Sequence, residues 1–361
     1  MIPVTKPALP DIEVYKRYLD DIWKRNWLTN NGPLVNDLEL KLKECLDVPH
    51  LLYLSNGTIA LQLAIKALCL EGEIITTPFS YVATTSTIVW ENCQPVFVDI
   101  DRESFNIDPH LIEAAITEKT SAILATHVYG NPCDIEAIKK IAVKHGLKVI
   151  YDAAHCFGSL YKGRSVFNYG DISTTSFHAT KLFHTIEGGA VFTQDPGLLA
   201  TLASMRNFGH DGPDNFSGVG INGKNSEFHA AMGLANLTNV NGILAKRKSD
   251  HYHYDSLLNV LNLQKPIISE NATYNHSYYP VAFSSREVTE FVFNKLKENE
   301  VYARRYFYPV LSSLNYVNSV KMPVAEDIAE RVLCLPIYEQ ITPEEIDLVS
   351  RLVIRTVKYE R

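Results

Sequence analysis

The chain has 361 residues, long enough to bury a large core in one big domain with a smaller one beside it. Its formal net charge of -7, with 46% hydrophobic and 21% charged residues, is an ordinary soluble balance and argues against nucleic acid as the main partner. No apolar run reaches the ~18 residues that cross a bilayer, and Met1 to Pro10 holds three prolines and a lysine in place of an apolar leader. Neither a membrane nor export is therefore expected, and the localisation expected is cytoplasmic. The six cysteines are scattered without a CxxC pair, and His251 and His253 have no partners at ligand spacing, so no metal is expected.

In chain order, Ile12, Tyr15, Leu19 and Ile22 recur at roughly helical spacing within residues 11–24. Asn30, Asn31, Gly32 and Pro33 break that helix, and a second stripe runs through Leu38, Leu42 and Cys45. Leu51 to Leu54 reads as a strand, followed by Ser55-Asn56-Gly57-Thr58 and a helix from Ile59 to Leu68. A strand, a small polar turn and a helix start form a geometry that binds phosphate, because free N–H groups and the helix dipole converge on the anion. Ser, Asn and Thr are equally ordinary N-caps.

Residues 73–78 read as a strand, and the helical stretch opening at Phe79 puts Tyr81 just past its end. Strands are expected at 95–99, 121–126 and 148–151, with helices at 111–116 and 135–144, the second closed by Gly146. The strand at 148–151 runs into Asp152 and His155. A β-branched strand at 172–177 leads to Lys181, and Gly188 and Gly189 lead to another at 190–193. Lys181 then sits at the open edge of a sheet, where partial desolvation lowers an amine's pKa as a nucleophilic lysine requires. Taken alone it is an ordinary loop lysine. The alternation predicts an α/β fold with a mostly parallel sheet, buried on both faces, that binds ligands at its strand carboxyl ends.

Residues 205–223 form a Gly/Asn-rich loop long enough to suggest function or mobility, and a helix is expected at 228–237. Lys246-Arg247-Lys248 reads as a solvated helix face at the junction to a smaller α+β lobe. The expected division is thus 1–245, the N-terminal segment and large domain, and 246–361, the small C-terminal domain. In that lobe Arg304 and Arg305 beside Tyr306, Phe307 and Tyr308 suit a nucleotide diphosphate and its base. Packing aromatics at a strand end fit the same residues.

Ser55-Gly57-Thr58, Tyr81, Asp152 with His155, and Ser176 with Lys181 all fall at strand ends. Together they suit pyridoxal 5'-phosphate. That cofactor needs a lysine to hold it covalently, a carboxylate to keep its ring nitrogen protonated, a phosphate cup and an aromatic ring to stack on it. Singly, Asp152 reads as an N-cap and His155 as a satisfied surface histidine.

These motifs, with Trp27-Leu28-Thr29-Asn30, Glu187-Gly188-Gly189 and Gly220 to Lys224 with Glu227, resemble the DegT/DnrJ/EryC1/StrS sugar aminotransferases over nearly the whole chain. The resemblance implies a fold type I aminotransferase in which Lys181 is the Schiff-base lysine and Asp152 the partner of the ring nitrogen. It places His155 near the cofactor's 3-hydroxyl, Tyr81 on the ring, and Gly57, Thr58 and Ser176 on the phosphate. Asn222 would reach the phosphate of the neighbouring subunit's cofactor, which implies a homodimer with shared sites. Thr29, Asn30, Arg304, Arg305, Tyr306 and Tyr308 are the implied substrate contacts, and the small lobe is expected to draw on the N-terminal segment. Asn225 and Lys224 depart from the family's usual Met and frequent Arg. The implied reaction moves the amino group of glutamate onto a nucleotide-linked keto-sugar. The wording of residues 176–189 and 304–309 favours dTDP-4-keto-6-deoxyglucose; a 3-keto or UDP-linked sugar is the alternative. A regulatory homologue on the same fold is the other class, against which the presence of Lys181, Asp152 and the phosphate cup speaks. The family's dehydratase branch carries His in place of the lysine.

Overall fold

The structure is a computed structural model that describes residues 1–359. A short strand, β1 (Ile2–Pro3), precedes the helices α1 (Ile12–Arg25) and α2 (Pro33–Leu46). Asp11 caps α1 by accepting the Glu13 N–H, and Asn26 ends it in the left-handed conformation. Gly32 and Pro33 open α2 without a local side-chain cap.

Strands and helices then alternate: β2 (His50–Leu54), α3 (Gly57–Ala67), β3 (Glu73–Thr76), α4 (Val82–Trp90), β4 (Gln94–Phe97), α5 (Pro109–Ile112), β5 (Thr120–Thr126), α6 (Ile135–His145) and β6 (Lys148–Asp152). The helix expected at 111–116 is a single turn of α-helix continued by a 3₁₀ turn at Glu113–Ala115. A small hairpin, β7 (Leu160–Tyr161) and β8 (Arg164–Ser165), leads to β9 (Ile172–Ser176), β10 (Gly189–Thr193), α7 (Pro196–Arg206) and α8 (Glu227–Leu237). No periodicity announced α7. Its turn begins at Pro196, on an Asp195 cap that accepts from Gly197 and Leu198.

The seven-stranded central sheet has the order β2-β10-β9-β6-β5-β3-β4. All neighbours are parallel except β10, which runs against both β2 and β9. Period-two alternation splits each strand between two cores. Leu51 and Tyr53 of β2, Ile123 of β5, Val149 and Tyr151 of β6 and Phe192 of β10 join one core with α2 and α8. Leu52 and Leu54, Leu124, Ile150 and Val191 join the other with α3 and α7. β9 is therefore an interior strand. Lys181 hangs from the carboxyl-end rim of the sheet and not from a lateral edge, because β10 folds back to cover β9.

Beyond α8 the chain forms α9 (Val240–Leu258), β11 (Ala272–Thr273), β12 (Tyr279–Ala282), α10 (Arg286–Glu298), β13 (Val301–Tyr302), α11 (Pro323–Arg331), β14 (Val332–Leu335) and α12 (Pro343–Tyr359). β12 and β14 pair antiparallel, and β1 pairs parallel with β13, which carries Ile2 into the small-lobe core. α9 runs through the position 245/246. Its Val240 and Ile243 lie in the large core, and its Tyr254 and Leu258 in the small one. That placement corrects the expectation of a solvated 246–248 face. Arg247 is buried with its guanidinium on the Ile337 carbonyl, Lys246 pairs with Asp250 at 2.5 Å, and only Lys248 is exposed. A further apolar cluster, with Phe79, Phe105 and Tyr129 from the large lobe and Phe307, Val310 and Ile328 from the small one, forms the seam between the lobes.

Candidate active site

The carboxyl ends of β6 and β9, the starts of α3 and α4, and the small lobe's segments at 278 and 304–307 enclose a cavity of about 370 Å³.

At one end, α3 starts at Gly57 on an Asn56 cap whose side chain accepts the Ile59 N–H at 2.9 Å. Gly57 and Thr58 are thus the first helical residues, and their N–H groups have no intrahelical partner. The turn lies tight against the end of β9: a Cβ on Gly57 would meet the Ser176 Cβ at 3.0 Å. A Cβ on Gly189 would stand 2.5 Å from the Asn56 carbonyl carbon. The two glycines let the helix start and Ser176 face the same corner of the cavity, which is an anion-binding arrangement.

In the middle, Asp152 ends β6 and is 6% exposed. Its Oδ2 accepts from Thr84 Oγ1 at 2.7 Å and its Oδ1 from the Ala154 N–H at 3.2 Å. Burial raises its pKa, while these donors and the Lys181 charge oppose the rise. His155 accepts the Tyr129 N–H on Nδ1 at 3.2 Å, so its proton is on Nε2. Burial, aided by the Lys181 charge, pushes its pKa well below the ordinary value and keeps the ring neutral. Phe307 stacks on that ring at 5.6 Å and 10°.

Lys181 lies in the bend after β9, and its Nζ is 3.3 Å from the Tyr278 hydroxyl. Burial lowers its pKa against the pull of Tyr306, Asp152 and Tyr81. Tyr81 is the N-cap residue of α4 and lines the cavity with much of its surface open. From the small lobe, Arg304 and Tyr306 line the cavity, the guanidinium 4.7 Å over the Tyr306 ring. Gly57, Thr58, Tyr81, Asp152, His155, Ser176, Lys181, Arg304 and Tyr306 are therefore brought together.

The other expected contacts are not. Arg305 donates to the Ala329 and Glu330 carbonyls at 3.4 and 3.2 Å and stacks on Tyr308 at 3.6 Å; neither residue lines the cavity. Residues 304 and 305 point oppositely because successive side chains alternate where Arg304 bridges Cys334 in extended form. Thr29 and Asn30 lie in the exposed connection between α1 and α2. Asn222 is exposed in the loop after α7, bridged to Asn207. The two departures have local partners: Asn225 donates to the Tyr53 hydroxyl and the Glu187 carbonyl, and Lys224 to Asn207 Oδ1 at 2.8 Å.

Sequence reasoning missed Thr84 and Tyr278, and read Phe307 only as one of the aromatics beside Arg304 and Arg305, not as the cover of His155. Thr84, three residues after Tyr81, is fully buried and meets Asp152 from behind the cavity lining, a contact that spacing along α4 does not reveal. Tyr278 and Phe307 reach the site from the small lobe and leave no local trace.

The family model of the DegT/DnrJ/EryC1/StrS aminotransferase family matches residues 11–353. The chain belongs to this family. Its members are pyridoxal-phosphate-dependent aminotransferases, and this chain is a fold type I aminotransferase. Among its relatives, the dTDP-4-amino-4,6-dideoxy-D-glucose transaminases of Escherichia coli and Shigella dysenteriae are 41% and 42% identical, each covering 98% of both chains. The GDP-perosamine synthase of Escherichia coli O157:H7 is 34% identical over 96% of this chain and 95% of that protein. Among solved structures, DesI in the presence of its TDP-sugar product superposes with a TM-score of 0.94 at 33% identity, covering 99% of this chain and 93% of that one.

The residues present fit pyridoxal phosphate. The Gly57–Ser176 corner suits its phosphate, Asp152 offers a buried carboxylate to its ring nitrogen, and Lys181 offers an amine of lowered pKa on the same cavity.

Proposed function

We propose that this enzyme moves the amino group of glutamate to carbon 4 of dTDP-4-keto-6-deoxyglucose, giving dTDP-4-amino-4,6-dideoxyglucose. The observation that carries the substrate is the 41–42% identity, end to end, with transaminases of that name, against 34% for the GDP-perosamine synthase. Arg304, at the cavity and without a carboxylate partner among the described residues, supports an anionic substrate such as a sugar nucleotide diphosphate. The product belongs to the chemistry of cell-surface polysaccharides such as lipopolysaccharide O-antigen, and the reaction is assigned to the cytoplasm.

The roles of the residues follow from their surroundings. Gly57, Thr58 and Ser176 hold the cofactor's phosphate, Tyr81 stacks on its ring, and Asp152 faces its ring nitrogen. When bound, pyridoxal phosphate supplies an electron sink for the carbon that loses its proton. Lys181 would take the α-proton of glutamate on Nζ and pass it to the cofactor's C4′; in the second half-reaction it would take a proton from C4′ and deliver it to the sugar carbon that receives the amine. Tyr278 orients that amine through its hydroxyl. His155, neutral with its proton on Nε2, would donate to the cofactor's 3-hydroxyl oxygen.

The active unit is a homodimer. Trp27, Leu28, Phe208, Val219 and Ile221 are large apolar side chains exposed on the same two segments that carry Thr29, Asn30 and Asn222. A second copy covering these segments would bring those residues to its own cavity.

The test is to supply the enzyme with glutamate and a panel of dTDP-, GDP- and UDP-keto-sugars and assign the amino carbon by NMR. Turnover of dTDP-4-keto-6-deoxyglucose to the 4-amino sugar is expected. A 3-amino product, or turnover of UDP sugars alone, overturns the substrate, and failure with every keto-sugar favours the regulatory reading.

A further inference from the structure

Three buried hydroxyls form a hydrogen-bonded row that ends on Asp152. Thr126 ends β5, Ser80 precedes α4 and Thr84 lies in its first turn; all are 2% exposed or less. Thr126 Oγ1 donates to Ser80 Oγ at 3.0 Å, Ser80 Oγ and Thr84 Oγ1 are 2.8 Å apart, and Thr84 Oγ1 donates to Asp152 Oδ2 at 2.7 Å. Each hydroxyl has one proton. Thr84 gives its proton to the carboxylate and Thr126 gives its own to Ser80, so the bond between Ser80 and Thr84 has one direction: Ser80 donates. Every O–H dipole in the row therefore points toward Asp152. A chain of this kind polarises cooperatively and favours the charged form of the group it ends on.

We propose that Thr84, backed by Ser80 and Thr126, is the positioning residue that keeps Asp152 an oriented carboxylate toward the cofactor's ring nitrogen. The proposal rests on the reading that Asp152 faces that nitrogen. Its physical necessity is plain from the site. Burial pushes the Asp152 carboxyl toward its neutral form, and a neutral acid cannot hold a proton on a ring nitrogen opposite it. With Oδ2 engaged by Thr84 and Oδ1 by the Ala154 N–H, the carboxylate has both a charge and a fixed plane. Removing the Thr84 hydroxyl makes the carboxylate more basic, and the proton between acid and ring moves toward the acid. The ring nitrogen loses charge and the electron sink weakens.

The experiment uses holoenzyme loaded with ¹⁵N-ring-labelled pyridoxal phosphate, whose nitrogen chemical shift reports ring protonation independently of turnover. Thr84→Val keeps the shape and removes the donor. It is expected to move the ¹⁵N shift toward the unprotonated value and to lower kcat about 10- to 100-fold, the loss of one hydrogen bond to a buried charge. KM for either substrate should stay nearly unchanged. Thr84→Ser should restore both readouts. Ser80→Ala, which leaves the last donor in place but removes its polarisation, should give a smaller change of the same sign. A Thr84→Val enzyme with slower turnover and an unchanged ¹⁵N shift overturns the proposal, as does a Ser80→Ala effect larger than that of Thr84→Val. Asp152→Asn separates the two levels. If it moves the ¹⁵N shift and Thr84→Val does not, the relay alone fails. If neither moves it, the assignment of Asp152 fails and the relay with it.

Discussion

Lys181 shows how far a residue's chemistry is set by what surrounds it. An amine acts as a base only when neutral. Burial lowers the Lys181 pKa, so the neutral fraction at a given pH is larger than for an exposed lysine. In the cofactor-free protein the Lys181 amine should accordingly titrate below the ordinary lysine range, as the pH dependence of its labelling by an amine-reactive reagent would show. Lys181→Ala should lower turnover by about 10²–10⁴-fold or more, with part of the loss recovered by a small added amine. Full turnover by that variant would end the assignment. That Lys181, Asp152 and Tyr81 fall at strand ends facing one cavity was legible in the sequence, because each lies at or just past a strand whose composition could be read. Tyr278 was not, since a hydroxyl 97 positions away bears no local mark of its contact. Arg304 and Arg305 were read as alike. Their division between cavity and lobe interior depends on the strand pairing of Arg304 with Cys334, which the dipeptide does not reveal.

Among the elements, α2 depends on a group that lies far from it in sequence. Its first N–H groups find no cap nearby. Glu227, at the start of α8 and fully buried, accepts the Leu34 and Val35 N–H groups, each at 2.9 Å, with Arg25 3.8 Å away. A carboxylate at a helix start satisfies both the orphan donors and the dipole. Glu227→Ala would orphan two buried donors and leave a hole, and should cost about 2–4 kcal/mol in chemical unfolding. Gly32→Ala should act in the same direction, since its Cβ would stand 2.5 Å from the Glu227 Cδ. An unfolding midpoint unchanged in both variants would contradict this account. The sequence reading had α2, from its apolar stripe, and a helix over 228–237 as separate elements. Periodicity reports which face of a helix is buried and is silent on which distant carboxylate caps it, so the coupling was out of reach. The same limit hid α7, whose apolar residues show no clear face, whereas the strands of the sheet declared themselves because both their faces are apolar.

For the whole molecule, the pairing of two chains is the consequence to test. Thr29, Asn30 and Asn222 lie outside this chain's own cavity, among exposed apolar side chains. If they serve the partner's site, Lys181→Ala and Asn222→Ala proteins, each impaired alone, should recover activity when mixed. Each mixed dimer would then hold one site with both residues intact, and a fully active monomer in sedimentation would rule this out. The sequence pattern changes near residue 245, but no break in the chain marks that point. α9 is continuous through that point and belongs to both cores, while β1 from the chain's beginning lies with the small lobe.

The aromatic seam carries a last implication. Phe79 meets Phe307 edge-on at 5.6 Å, Tyr129 stacks on Phe307 at 5.8 Å, and Phe307 lies over His155 at the cavity wall. One side chain thus belongs at once to the contact between the lobes and to the surface that receives the cofactor. Parting the lobes would strip His155 of its cover and open the cavity to water. If this cavity holds the cofactor as proposed, cofactor binding and lobe cohesion are linked, and the loaded protein should melt in one transition at a higher temperature than the cofactor-free protein.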